Sequence, residues 1–298
     1  MTYCFVPTTR ALRIAILVAA TNVGTSFAQE KAISKPEISD PQRVTAVPSE
    51  SAEAAVARFV TECVLITPGK GEFPATFSIG TKDPAAFEIP LKRVSLKQPF
   101  RISRFETTQE LYTAVVGTNP SRWKGPRNSV ENVTFQDAER FCRKLTALLH
   151  ARELISKQEF VRLPTSVEWE YCCRAGSESR YCFGDDAGDG AGTETLDTFA
   201  WHTGNAAGND PAVGVLKAND WGLCDVHGYL WEYVADEMGQ VNPDESGPPV
   251  IRGGSWKDHH SRLSCSAWST IPAESVDDAV GFRCVIAEKP TIKKPPKQ

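Results

Sequence analysis

The sequence has no excess of positive charge, because its 33 lysines and arginines are outnumbered by 37 acidic residues. Nucleic-acid-binding chains usually carry a basic surface, so this composition excludes that class. Cysteines spaced as C-x-x-C and histidine pairs at zinc-ligand spacing are also absent, and with them the common sequence patterns for zinc. The apolar run near the N-terminus is too short for a good membrane span, and no other hydrophobic stretch could cross a bilayer as a helix.

The N-terminus has the pattern of an export signal. Arg10 and Arg13 precede a short apolar run at residues 14–20, and Ser26-Phe27-Ala28 ends in small residues. This order predicts a signal peptide at residues 1–28 that is cleaved, leaving no membrane span, with an uncleaved anchor as the alternative. We therefore expect an exported protein, whether periplasmic, secreted or at the cell surface.

Nine cysteines are present, and one of them, Cys4, lies in the predicted signal peptide. The even number that remains favours disulfides in an exported protein, although spacing alone does not determine their pairing. The eight are Cys63, Cys142, Cys172, Cys173, Cys182, Cys224, Cys265 and Cys284.

The chain divides by composition into a linker, a domain and a tail. Residues 29–57 are rich in proline, serine and charge, which predicts a disordered linker. Residues 52–60 have the composition of a short helix that leads into the domain. The domain is predicted at 58–288, and residues 289–298 form a basic tail.

Local patterns within the domain predict short strands and few helices. Strands are expected at 64–67 and 73–79, joined by a turn as a hairpin, and at 91–96 and 100–105. Helices are expected at 109–116 and 136–149, the second capped by Thr134. Thr165 and Glu168 have the spacing of a capping box before a further helix. Because strands and helices do not alternate regularly, the fold class is α+β, irregular and loop-rich.

Four blocks together resemble a known family. Residues 162–170 read Arg-Leu-Pro-Thr-Ser-Val-Glu-Trp-Glu, and residues 221–233 contain Trp-Gly-Leu-Cys-Asp and Gly-Tyr-Leu-Trp-Glu. Residues 252–256 read Arg-Gly-Gly-Ser-Trp, and residues 281–284 read Gly-Phe-Arg-Cys. In this order they resemble the formylglycine-generating enzyme (sulfatase-modifying factor) domain family. The resemblance covers residues 63–287 and implies a C-type-lectin-like α+β fold.

The resemblance also implies covalent and metal cross-links. Calcium binds carboxylate and carbonyl oxygens, and the family's calcium loop matches the carboxylates of Asp225 and Glu232 and the carbonyls of Gly228 and Leu230. Asn205 is a weaker match to a second calcium loop. Two disulfides are implied, and Cys182 and Cys224, which each replace a family aromatic, are hypothesised to pair; Cys63 and Cys172 stay unassigned. The predicted pairs are Cys142–Cys284, Cys173–Cys265 and Cys182–Cys224.

Catalytic members of the family hold copper between two cysteines that follow Gly-Gly-Ser. Here Ser255 is retained, but Asp258 stands at the first cysteine position and residues 262–263 contain no second cysteine. Thiolates select Cu(I), and a carboxylate does not replace them. The sequence therefore predicts a pseudoenzyme that lacks copper and does not generate formylglycine.

Three functions are compatible with this pattern. The first is a non-catalytic module that binds a protein, peptide or glycan ligand in the cleft. The second is an enzyme of altered chemistry, with Ser255, Asp258 and His259 as candidate catalytic residues. The third is an oxidase that uses another cysteine, such as Cys172. Candidate cleft aromatics are Trp201, Trp231, Trp256 and Trp268, and His227 and His260 are further candidate ligands for the second function.

Overall fold

The computed structural model describes residues 51–185, 194–207, 210–235 and 247–289. The predicted signal peptide, most of the linker and residues 290–298 of the tail lie outside these ranges. No helix within the described ranges is both long and apolar enough to cross a membrane.

The helices begin at polar caps, two of which, Thr134 and Thr165, were predicted. Thr108, Thr134 and Thr165 each accept a hydrogen bond from the backbone of the first helical turn. The capping box of Thr165 with Glu168 is confirmed, and Thr134 forms a second one with Asp137. The helices are α1 Ala52–Thr61, α2 Gln109–Val116, α3 Phe135–Ala151, α4 Ser166–Arg174 and α5 Glu194–Asp197, with a 3₁₀ turn at His260–Arg262.

The strands are short and form three small sheets within the described residues. Their orders are β1-β4-β10-β5, β2-β3 and β8-β7-β6-β9. All neighbouring pairs are antiparallel except β6 with β9. The strands are β1 Cys63–Ile66, β2 Thr76–Ile79, β3 Lys92–Ser95, β4 Phe100–Ser103, β5 Glu159–Arg162, β6 Trp231–Tyr233, β7 Val250–Arg252, β8 Trp268–Thr270, β9 Val280–Gly281 and β10 Val285–Glu288. The predicted α+β class with much irregular structure is confirmed.

The predicted hairpin of the first two strands is wrong. β1 pairs with β4 in the first sheet, with Ile66 opposite Phe100, whereas β2 pairs with β3 in a separate sheet. Two strands joined by a turn indicate a hairpin locally, but pairing is decided by the surfaces that become buried. Ile66 is fully buried in the core, and this requires β1 to lie on the central sheet.

A buried ion network fastens the third sheet to α4. Arg252, at the end of β7, is fully buried and donates to Glu170 at 2.6 Å and to the carbonyl of Cys265 at 2.8 Å. Glu170 also accepts from Arg174 at 2.7 Å and from the backbone of Gly80. The arginine of the Arg-Gly-Gly-Ser block therefore anchors the strand that leads into the candidate site.

Candidate functional site

The double glycine turns the chain sharply at the end of β7. Gly253 and Gly254 have φ values of 98° and 78°, a region that glycine adopts readily and other residues avoid. A Cβ on Gly254 would lie 2.9 Å from the carbonyl oxygen of Arg262. The turn therefore requires glycine, and it places Ser255 and Asp258 directly after the strand, as the sequence predicted.

Asp258 is held by Ser255 and Trp231. Its Oδ2 accepts from the backbone and hydroxyl of Ser255 at 3.1 and 2.7 Å and from the indole Nε1 of Trp231 at 2.7 Å. The guanidinium of Arg262 lies 3.5 Å from Oδ1. A carboxylate with this many partners closes a turn, and it supplies no sulfur for Cu(I).

The other candidate catalytic residues lie apart from this pair. His259 is exposed, and its Nδ1 interacts with Ser261. The buried His227 contacts Leu263 through Nδ1 at 2.9 Å and accepts from the backbone of Cys182 through Nε2 at 3.1 Å. Since the second contact fixes Nε2 as the acceptor, Nδ1 carries the proton. The structure thus brings Ser255 and Asp258 together, with no described contact from either to His259 or His227.

A cavity of about 160 Å³ lies beside the Gly-Gly-Ser-Trp turn. Trp256 joins it to the turn, and the backbone of Trp256 donates to the carbonyl of Tyr229 at 3.0 Å. Aromatic rings and carboxyl groups make up most of the lining. The lining residues are Trp123, Ser129, Glu131, Ala206, Ala207, Asp210, Tyr229, Leu230, Trp256 and Asp278.

Of the four tryptophans predicted for the cleft, Trp256 lines this cavity and Trp231 holds Asp258 instead. The indole nitrogens of Trp201 and Trp268 are buried without a hydrogen-bond partner. Sequence reasoning missed Trp123, Glu131 and the lining role of Tyr229. The replacement of the family asparagine by Tyr229 was a signal, whereas nothing local in the sequence marks Glu131 as a cavity residue.

The predicted calcium loop is rich in buried acid. Asp225 accepts from the backbone of Gly214 through Oδ2 at 2.7 Å, whereas its Oδ1 is buried without a partner. Burial raises the pKa of Asp225 to about 6. Both carboxylate oxygens of Glu232 bind Arg283. Its Oε2 lies 2.6 Å from Nε of Arg283, and its Oε1 lies 2.7 Å from Nη2. The orphaned oxygen of Asp225 fits a cation ligand, but Glu232 can join it only by sharing an oxygen that already binds Arg283.

The second predicted calcium position has a local role. The side-chain oxygen of Asn205 accepts from the backbone of His202 at 2.9 Å, and its amide donates to the carbonyl of Ala200 at 2.8 Å. These bonds close the turn that follows α5. The same oxygen is needed for both tasks, so calcium binding at Asn205 would compete with the turn.

The cysteines implied to pair by resemblance lie next to each other as thiols. The sulfur atoms of Cys142 and Cys284 are 3.7 Å apart, and those of Cys173 and Cys265 are 3.5 Å apart. A disulfide needs about 2.05 Å, so both pairs are within a small side-chain adjustment of bonding. No contact joins Cys182 to Cys224 in the described residues, and both are thiols there.

Cys172, the candidate for an alternative oxidase, is fully buried. Burial, followed by the nearby Glu168, raises the pKa of this thiol well above its usual value. The thiolate is the reactive form of cysteine, so a buried thiol with a raised pKa is a poor nucleophile and a poor copper ligand.

Comparison with known proteins assigns the fold and the motifs to one class. Residues 48–288 match the family described as the sulfatase-modifying factor enzyme 1-like domain. Because this match covers most of the chain, the protein belongs to that family, and the resemblance seen in the four sequence blocks is confirmed.

Relatives include both active and inactive proteins. The chain is 27% identical over 237 residues to the chaperone protein LppX of Paenibacillus barcinonensis, covering 65% of this chain and 82% of the relative. It is 30% identical over 149 residues to the formylglycine-generating enzyme of Bos taurus, covering 44% of this chain and 40% of that enzyme. It is also 30% identical to the inactive C-alpha-formylglycine-generating enzyme 2 of the same species, over 140 residues, covering 41% of this chain and 43% of that protein. Overall sequence identity does not distinguish active from inactive relatives. The residues of the local site must therefore decide whether this chain resembles one or the other in activity.

A solved structure supports the fold. Treponema denticola variable protein 1 superimposes with a TM-score of 0.62 at 22% identity, covering 76% of this chain and 95% of that protein. At this identity the likeness establishes the fold, and the predicted C-type-lectin-like α+β architecture is confirmed.

Proposed function

We propose that this protein is an exported, non-catalytic member of its family that binds a protein or peptide ligand in the cavity beside Trp256. The observation that carries the proposal is Asp258. It occupies the position of the first copper-binding cysteine, and its carboxylate is bonded to Ser255 and Trp231. A hard carboxylate fixed as part of a turn does not provide the thiolate that copper oxidation requires.

The cysteines support the same conclusion. Cys172 is buried with a raised thiol pKa, and Cys265 lies 3.5 Å from Cys173 in position for the structural disulfide. An oxidase needs reactive, accessible thiols. The hydrogen bond from Cys173 and the nearby His227 lower the pKa of Cys265 despite its burial, but all three thiols are fully buried and none is accessible.

The choice between ligand classes rests on the cavity and on one relative. A volume of about 160 Å³ accommodates one side chain rather than a folded surface, since a cavity of ~150 Å³ in another protein holds benzene. LppX, whose name describes a chaperone, matches 65% of this chain. Both observations favour a protein or peptide over a glycan, which remains the alternative in ligand screening.

Copper loading combined with oxygen uptake tests the absence of catalysis. Purified mature protein is incubated with Cu(I) and a cysteine-bearing sulfatase-type peptide, with an active formylglycine-generating enzyme as the positive control. We expect no peptide-dependent oxygen uptake and no tight copper binding. Uptake that depends on the peptide would overturn the proposal, and an Asp258→Asn variant would then show whether the carboxylate takes part.

Ligand screening tests the binding function. Peptide and glycan libraries are applied to the same mature protein, and a Trp256→Ala variant serves to locate any binding in the cavity. We expect peptide binding that this variant weakens. Glycan binding lost in the same variant would replace the peptide ligand with a sugar.

We also propose that calcium binds at Asp225 with the carbonyls of Gly228 and Leu230. The support is the orphaned Oδ1 of Asp225 and the charge balance around Arg283, whose single guanidinium faces Glu106 as well as Asp225 and Glu232. A bound divalent cation would neutralise the excess negative charge and hold the loop.

The calcium proposal is tested by thermal unfolding in calcium and in a chelator. We expect calcium to raise the Tm, because a ligand of the folded state stabilises it by mass action. Asp225→Asn should abolish the calcium-dependent rise in Tm. Glu232→Gln also breaks the ion pair with Arg283, so this variant measures the contribution of that ion pair to stability. Equal Tm values for the unmodified chain in both buffers would contradict the proposal.

Export and cross-linking belong to the same proposal and are tested on the native host protein. Cell fractionation with N-terminal sequencing should find a mature chain outside the cytoplasm that begins after residue 28. Non-reducing peptide mapping should find Cys142–Cys284 and Cys173–Cys265, while a partner other than Cys224 for Cys182 would remove the third pair. A cytoplasmic chain with its N-terminus intact would contradict export.

A further inference from the structure

One acidic side chain in the cavity is buried and only half bonded. Glu131 is 3% exposed. Its Oε1 accepts hydrogen bonds from the backbone amides of Arg122 and Trp123, whereas its Oε2 is buried without any partner. A buried carboxylate oxygen without a hydrogen bond costs more free energy than a buried neutral group without one. Because Glu131 lines the cavity, a cavity ligand is the natural partner for this oxygen.

The protein's own cations do not supply that partner. Arg122 and Lys257 lie beside the indoles of Trp123 and Trp256, and both bind Asp278. The third carboxylate of the lining, Asp210, is exposed, and its partners are the side chain of Asn128 and the hydroxyl of Tyr229. Among the described residues, neither Glu131 nor Asp210 has a basic side chain within ion-pair distance. The cavity therefore carries negative charge that the protein itself leaves unpaired.

The aromatic side chains that line the cavity also favour a cation. Trp123, Tyr229 and Trp256 line the cavity, and cations are attracted to the faces of such rings. Both indoles already have one of the protein's own cations nearby, with Arg122 4.7 Å from the Trp123 ring centre and Lys257 5.3 Å from that of Trp256. These rings thus combine with Glu131 into an acidic, aromatic pocket.

The strained backbone of Tyr229 is a further indication that the cavity is a functional site. Its φ is 95°, in a region that a bulky residue occupies only with strain. The strained backbone is accompanied by a hydrogen bond from the tyrosine hydroxyl to the carbonyl of Pro211 at 2.7 Å. The ring is thereby held in the cavity wall.

We propose that this cavity is a subsite for a single organic cation, the ammonium or guanidinium of a lysine or arginine side chain, with Glu131 as its counter-ion. The proposal rests on the proposed binding function and specifies the chemistry of its ligand. The alkyl stem lies among Tyr229, Trp123 and Trp256, and the cationic head donates to Oε2 of Glu131. The volume of about 160 Å³ limits the occupant to one side chain.

Calorimetric titration with matched small probes tests the subsite. The probes are Nα-acetyl-lysine amide, Nα-acetyl-arginine amide, butylammonium and the neutral Nα-acetyl-norleucine amide, which has the lysine carbon chain without its charge. We expect both cationic amino-acid amides to bind at least about tenfold more tightly than the norleucine probe, because a hydrogen bond to a charged group contributes about 1.5–3 kcal/mol. Butylammonium shows whether a free amine suffices or the peptide backbone is needed.

Two variants locate the effect. Glu131→Gln keeps a carbonyl oxygen for the amides of Arg122 and Trp123 but replaces the charged acceptor Oε2 with an uncharged NH2 group, and it should weaken the cationic probes at least about tenfold. Glu139→Gln removes a charge from the exposed side of α3 and should change nothing. Circular dichroism confirms that both variants are folded.

Three outcomes would overturn the subsite. They are equal binding of the norleucine probe, an unchanged affinity in Glu131→Gln, and no binding of any cationic probe by the unmodified chain. Each leaves the broader proposal standing, because absence of catalysis is measured by oxygen uptake and a binding module can select an uncharged peptide. Conversely, peptide-dependent oxygen uptake would overturn the non-catalytic function while leaving the cation measurement to be judged on its own.

Discussion

At the scale of single residues, Asp258 and Glu131 illustrate opposite uses of a carboxylate. Asp258 accepts three hydrogen bonds at one oxygen and closes a turn. Glu131 keeps one oxygen buried and unbonded next to a cavity. The first arrangement stabilises the fold, whereas the second reduces stability in exchange for a place to bind a cation.

We predict that Asp258→Ala lowers the free energy of unfolding by about 1–3 kcal/mol, because the donors of Ser255 and Trp231 lose their acceptor in a largely buried position. Asp258→Asn retains one oxygen acceptor and should cost less. Urea unfolding of both variants measures the difference. Equal stability of Asp258→Ala and the unmodified chain would show that the carboxylate is not part of the turn.

We predict that Glu131→Gln is more stable relative to the unmodified chain at pH 7.5 than at pH 4. Burial raises the pKa of Glu131. A group with a raised pKa in the folded state contributes stability below its unfolded pKa, and this contribution is lost as the pH rises through the folded value. Gln does not titrate, so its relative stability grows with pH. Thermal unfolding across this range in cation-free buffer measures it, and a pH-independent difference would contradict the raised pKa.

At the scale of elements, α4 positions the site through its buried face. Its start is determined by the capping box of Thr165 with Glu168, and Arg162 binds both oxygens of Glu168 at 2.7 Å. Two residues later, Glu170 binds Arg252 of β7. Both glutamates of this motif therefore make structural contacts, and for Glu168 the capping-box spacing predicted this.

We predict that Glu170→Gln destabilises the domain by about 3–5 kcal/mol, because it leaves Arg252 and Arg174 buried without a counter-charge. The matched control is Glu139→Gln, which removes an exposed charge that lies 3.9 Å from Arg143 and should cost at most about 1 kcal/mol. Chemical denaturation measures both. A loss below 1 kcal/mol for Glu170→Gln would mean that the network contributes little to holding β7.

At the scale of the whole molecule, two pairs of neighbouring cysteine thiols connect parts of the chain that are far apart in sequence. Cys142 lies on α3 and Cys284 precedes β10, whereas Cys173 lies on α4 and Cys265 precedes β8. Each pair joins a helix to the C-terminal part of the domain. A loop-rich fold gains most from such cross-links, because its irregular segments are costly to order.

We predict that a reductant lowers the Tm of the mature protein. The two implied disulfides close loops of 142 and 92 residues, and the chain-entropy relation gives about 5 kcal/mol for each. Cys142→Ser with Cys284→Ser isolates one bond, and Cys173→Ser with Cys265→Ser isolates the other. Four titratable thiols from these positions in the unfolded, non-reduced protein would refute both disulfides.

Local features could be predicted because they depend on neighbours in the chain. Thr134 and Thr165 begin helices because an acceptor and an amide three residues on meet in the first turn. The predicted hairpin of β1 and β2 is wrong because strand pairing depends on residues that are far apart in the chain, with Ile66 opposite Phe100. The proximity of Ser255 and Asp258 could be predicted because both residues belong to one turn. The side chain of His259, although adjacent in sequence, contacts Ser261 instead.

The sequence by itself determined the family, the α+β class and the helix caps, and it predicts that Asp258 replaces a copper-binding cysteine. Each of these is a property of residue type at a given spacing, so each can be read before the chain is folded. Only the tertiary structure decided that Glu131, Tyr229 and Trp256 share one cavity and that Glu232 binds Arg283. These residues are far apart in the chain, and packing of the core brings them together, which no local pattern encodes.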